Sequence, residues 1–152
     1  MSLREKLTEN LKRAMHARDE ITVATLRLII AAMKDKDIAA RTAESREVIR
    51  DEQILSLLQS MVKQRQESIK MYLQGGRPEL AERESAEIRV IESYLPKQLS
   101  EDEMKTVVQQ AIVAAGATGI KDMGKVMAEL KAKYSGQMDF SKAGGLVKDR
   151  LA

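Results

Sequence analysis

Apolar residues recur along this chain at three- and four-residue steps, the spacing of one face of a helix, and nowhere alternate as a half-buried strand would. Leu3, Leu7, Leu11, Ala14 and Met15 form the first such stripe, opened by Ser2 and Glu5 at the spacing of a capping box. A second helix is predicted from Asp19 or Glu20 to about Ala40, with Ile21, Leu26, Ile29, Ile30, Met33 and Ile38 on its buried side. Residues 41–50 are polar, with charges of both signs, and read as a surface loop. The clearest period follows: Ile54, Leu57, Leu58, Met61, Val62, Ile69, Tyr72 and Leu73. Gln64, Arg65 and Ser68 interrupt it, which predicts a hydrogen-bonded polar network that holds helix register.

Gly75-Gly76 ends this third helix and Pro78 opens a fourth, the usual asymmetry of glycine after an end and proline in a first turn. The fourth is expected to reach Tyr94 with Leu80, Ala81, Ile88 and Ile91 inward and a solvated, charged outer face. Pro96 then stops helix formation, and Ser100 with Glu103 starts it again. Beyond that joint, Met104, Val107, Val108, Ala111, Ile112 and Ala115 predict a fifth helix closed at Gly116. Met123, Val126, Met127, Leu130 and Tyr134 predict a sixth with Asp122 as N-cap. Ala143, Leu146, Val147 and Leu151 predict a seventh from Asp139 or Ser141, weakened by Gly144 and Gly145. The fold class is therefore all-α: a long-helix domain over residues 1–95 and a three-helix bundle over 96–152.

Composition narrows the chemistry more than it identifies it. With no cysteine and one histidine, thiol chemistry, histidine-rich metal sites and a Ser-His-Asp triad are disfavoured. His16 lies beside the first stripe with no partner in the pattern and reads as a surface residue. No phosphate loop, metal-spaced cluster or nucleophile elbow occurs, so neither a catalytic residue nor a cofactor is expected. No apolar run approaches the roughly 18 residues of a membrane span, so a cytoplasmic protein without a membrane partner is expected. The net charge of +3 is modest. From Lys121 onward, however, seven basic residues face four acidic ones. Lys121, Gly124, Lys125, Lys131, Lys133, Lys142 and Lys148 are thus the candidate phosphate-binding residues, with Gly124 allowing close backbone approach.

Three ordered motifs carry a resemblance: Tyr94-Leu95-Pro96-Lys97-Gln98-Leu99-Ser100, Asp122-Met123-Gly124-Lys125-Val126-Met127, and Gly136-Gln137-Met138-Asp139. With Leu26-Arg27-Leu28, Gln64-Arg65 and Arg77 upstream, the chain resembles the YqeY-like proteins over nearly its whole length. The resemblance implies a C-terminal domain similar to the tail of the B subunit of the glutamine-dependent Asp-tRNA/Glu-tRNA amidotransferase. In that enzyme the tail holds tRNA while the chemistry happens elsewhere. The expected partners are accordingly tRNA or a tRNA-handling protein complex. Two other readings stay open: an enzyme or subunit in amide transfer from glutamine, and a helical protein-interaction adaptor. The oligomeric state is not legible from the pattern.

Overall fold

The computed structural model describes residues 1–152 and contains seven α-helices and no strand. They are α1 (Leu3–Ala17), α2 (Glu20–Ala39), α3 (Asp51–Gln74), α4 (Pro78–Glu92), α5 (Glu101–Ala114), α6 (Met123–Tyr134) and α7 (Phe140–Leu151), with a 3-10 turn, Ile120–Asp122, before α6. The all-α expectation holds. The chain divides into two compact units, Met1–Leu95 and Pro96–Ala152. No helix is long and apolar enough to cross a membrane.

In the first unit, α1 to α4 close on Leu7, Leu26, Ile29, Met33, Ile54, Leu58 and Ile91. Helix starts follow the chemistry of their caps. The Ser2 hydroxyl accepts from the Glu5 N–H at 3.2 Å. The Asp19 carboxylate accepts from the Thr22 N–H, also at 3.2 Å. Each bond satisfies an amide that the helix leaves orphaned. Arg18, at φ 56°, makes the tight reversal between α1 and α2. Four apolar positions expected inside lie on the surface instead: Met15, Ile21, Ile38 and Leu73 are 50%, 39%, 58% and 58% exposed. Each falls at the margin of a stripe, where neighbouring helices no longer cover it.

Polar groups that the pattern did not place inside take part of the interior. Asp37, on α2, is buried and receives both arms of the Arg4 guanidinium, at 2.8 and 2.9 Å. The same carboxylate accepts the Ile49 N–H at 2.9 Å, and Arg4 donates to the Ile49 carbonyl at 3.2 Å. Residues 41–50 are therefore pinned to α1 and α2 at Ile49 rather than carried on the surface throughout. The loop's tip is shaped by Thr42, whose hydroxyl accepts from the Glu44 and Ser45 N–H groups at 3.2 and 3.0 Å.

Arg65 does form the polar interruption expected on α3. Its guanidinium donates to Glu87 at 2.9 Å, lies 3.9 Å from Glu84, and donates to the Met61 carbonyl at 3.2 Å. The Ser68 hydroxyl donates to the Gln64 carbonyl at 3.2 Å, so the polar interruption bonds within α3 and, through Arg65, across to α4. This corrects the view of α4's charges as purely solvated, since Glu84 and Glu87 turn toward α3. Burial and the neighbouring Glu87 push the Glu84 carboxyl above the usual carboxylate range.

In the second unit, α5, α6 and α7 pack on Met104, Val107, Val108, Val126, Leu130, Met138, Ala143 and Val147, without a buried charge. The Ser100 hydroxyl accepts from the Glu103 N–H at 3.2 Å, and the Glu103 carboxylate accepts from the Ser100 N–H at 3.0 Å. The two bonds form a reciprocal capping box. The Leu99 N–H donates to the Gln137 carbonyl at 2.8 Å, and the Gln98 amide reaches the Gly136 carbonyl. The first and third sequence motifs thus meet in space. Gly136 sits at φ 77°. That left-handed conformation would be strained by a side chain.

Candidate nucleic-acid interface

All seven candidate residues are exposed, but the fold distributes them unequally. Lys121 lies in the 3-10 turn, Gly124 and Lys125 in the first turn of α6, and Lys131 and Lys133 in its last turn. Lys142 opens α7 and Lys148 closes it. Val126 and Leu130 point into the core. Lys125, about 100° behind Val126 on the helical wheel, therefore points outward. Lys131 and Lys133 leave α6 on opposite flanks, and Lys133 is committed to Glu129 at 2.8 Å, which raises the lysine's pKa.

The contact between α6 and α7 runs through Gly144. A Cβ there would stand 3.6 Å from the Met123 methyl and 3.9 Å from that of Met127, ordinary packing distances. Gly144 therefore sits against the methionines at the start of α6. Lys148 follows it by one turn and so lies on the flank of α7 nearer α6, whereas Lys142 lies on the far flank. Lys121, Gly124 and Lys125 are all exposed around the start of α6, and both lysine charges act on the Asp122 carboxylate. Gly124 and Gly145 face open space.

Asp122 departs from its expected role. It occupies the position before α6, yet its side chain makes no cap bond to that helix. Its carboxylate instead accepts from the Thr118 N–H at 3.0 Å and stands 3.5 Å from the Thr118 hydroxyl. The Thr118 bond holds its pKa down, helped by Lys125 and Lys121. The reason is the intervening 3-10 turn, which shifts the first helical amides away from the Asp122 side chain. The same tighter coil removes Lys121 from the position directly over Lys125 that a continuous α-helix would give it. Sequence reasoning missed Thr118 altogether; Thr-x-x-x-Asp across a glycine was the available signal.

Elsewhere, a concavity of about 430 Å³ in the first unit is lined by residues including Lys36, Ile49, Gln53, Ser56 and Ser60. Its lining holds one cation and no carboxylate, and so offers no acid–base pair. His16 is exposed on the last turn of α1.

Comparison with known proteins decides the family. The family described as Yqey-like protein matches residues 4–151. The chain belongs to the YqeY-like family. Among its relatives is the altered inheritance of mitochondria protein 41 of Lachancea thermotolerans, 34% identical over 89 residues, covering 59% of this chain and 46% of that protein. Its counterpart in Kluyveromyces lactis is 32% identical over 106 residues, covering 68% of this chain and 55% of that one. That of Eremothecium gossypii is 34% identical over 90 residues, with shares of 59% and 46%. The chain thus spans about half the length of the curated relatives it matches. Each of these relatives is named as mitochondrial, which overturns the expected cytoplasmic location.

Proposed function

We propose that this YqeY-like protein is a binding module for folded RNA of the tRNA type and not itself a catalyst. The observation that supports the reading most directly is the exposed cluster of Lys121, Gly124 and Lys125 at the start of α6. Two cations bracket a glycine whose missing side chain leaves space for a backbone to approach. Phosphate neutralisation by the lysines supplies affinity, and the shape of the turn supplies selectivity for a structured RNA. With one phenylalanine, three tyrosines and no tryptophan, the chain has few platforms on which to stack single-stranded bases.

The test is tRNA binding by Lys121→Glu and Lys125→Glu across a salt series. Each phosphate that is no longer neutralised lowers the slope of log affinity against log salt by about 0.9, a value taken from duplex DNA. Lys12→Glu, on the exposed side of α1, is the control and leaves the slope in place. Equal losses at Lys12 and Lys125 would indicate attraction by net charge alone. Undiminished binding by both C-terminal variants would remove the proposed surface.

A further inference from the structure

An acidic residue in the middle of a basic surface weakens attraction for any polyanion, yet Asp122 stands between Lys121 and Lys125 and interacts with both. Its geometry accounts for its presence. The Ala117 N–H is tied to the Ile112 carbonyl at the end of α5, and α6 begins at Met123. Between these anchors no side chain of the Ile120–Asp122 turn is buried, and Ile120 is 50% exposed. No fully buried side chain anchors the turn. Asp122 closes it twice: its N–H donates to the Gly119 carbonyl at 2.9 Å, and its carboxylate accepts from the Thr118 N–H at 3.0 Å.

We infer that Asp122 is a positioning residue of the RNA surface, locking the Thr118–Asp122 turn so that Lys121 is held at a fixed place beside Lys125. The inference rests on the RNA-binding reading above. Its physical basis is preorganisation: a lysine on a restrained turn loses less freedom when it meets phosphate than one on a loose loop. The carboxylate's unfavourable field is the counterweight, and positioning outweighs it for a structured RNA. For a polyanion without fixed shape, only the field counts.

The two effects have opposite signs, which makes them separable. Asp122→Ala adds one unit of positive charge but releases Thr118. It is expected to weaken tRNA binding about fivefold, the worth of roughly one hydrogen bond, while heparin binding stays level or tightens. Asp122→Asn keeps an acceptor for the Thr118 N–H and drops the charge, so it should bind tRNA at least as tightly as the native protein. Hydrogen exchange at the Thr118 amide should quicken in Asp122→Ala and not in Asp122→Asn. A purely electrostatic role predicts tighter tRNA binding by both variants, and that result overturns the inference. If Lys121→Glu and Lys125→Glu weaken binding but Asp122→Ala does not, the positioning role falls and the RNA surface stands. If the native protein does not retain tRNA, both fall together.

Discussion

The two units use charge in opposite ways. The first buries Asp37 and Thr25, the two buried polar side chains of the chain, and draws Arg65, Glu84 and Glu87 into its interior margin. The second closes on apolar side chains, with Tyr134 and Phe140 packed against its buried aliphatic and methionine residues, and leaves its lysines outside. The difference follows from what each must fix. Four helices and a long connection have many near-equivalent packings, and a directional bond such as Arg4–Asp37–Ile49 selects one of them. Three short helices have fewer alternatives, so an apolar core suffices. One consequence is that the lysines of the second unit stay exposed, Lys133 paired with Glu129 among them, while the first unit directs Arg4 and Arg65 inward.

The largest expected effect tests the apolar side of this contrast. Leu130 is fully buried. Leu130→Ala should cost about 3 kcal/mol through the burial forgone and the cavity left behind. If residues 96–152 fold as a unit of their own, amide exchange should accelerate across α5 to α7 and leave α1 to α4 unchanged. Matching acceleration in α1 to α4 would show that the two units share one unfolding transition.

Next in size is the polar side. Asp37→Ala strands the half-buried Arg4 and the Ile49 N–H. The change should cost about 2 kcal/mol, less than for a fully desolvated pair because Arg4 retains some access to water. Its pH dependence has a definite sign. The hydrogen bond from Arg4, with the Ile49 N–H and the charges of Arg4 and Arg41 in support, holds Asp37 below the usual carboxylate range. The native state therefore binds this proton less readily than the unfolded chain. The stabilisation is present above the ordinary aspartate pKa of about 3.9 and is lost as pH falls through the lowered native value. Acid titration should loosen the 41–50 connection of the native protein, and Asp37→Ala should lack this component. Identical acid profiles for the two proteins would contradict the assignment.

The smallest effect sharpens the comparison inside the first unit. Glu84 and Glu87 are neighbours around one arginine, but only Glu87 makes a direct bond to it. Glu84, with its pKa raised by burial and by Glu87, is disfavoured in its charged form. Glu84→Gln should therefore leave stability at neutral pH within about 0.5 kcal/mol or raise it slightly, whereas Glu87→Gln should lower it by about 1 kcal/mol. Thermal melts of the two variants decide the order, and a larger loss at Glu84 would reverse the assignment of roles.

What the sequence determined by itself was local. Periodicity near 3.6 residues placed all seven helices, because each buries a continuous stripe. Ser2, Asp19, Pro78 and the Ser100/Glu103 pair marked helix starts, because a cap involves only residues within one turn of each other. The lysine-rich character of the last third was also plain, as was the polar interruption at Arg65. The partners of Arg65 and Asp37 were not. Arg4, Asp37 and Ile49 are brought together from positions far apart in the chain, and an aspartate within a helix looks the same in sequence whether it faces water or an arginine. Exposure at stripe margins, as for Ile21 and Ile38, likewise depends on how far the neighbouring helices extend. At the candidate interface, composition supplied the lysines, but only the structure showed that a 3-10 turn carries Lys121 into α6. There the Asp122 carboxylate accepts from the Thr118 N–H upstream and makes no cap bond to α6.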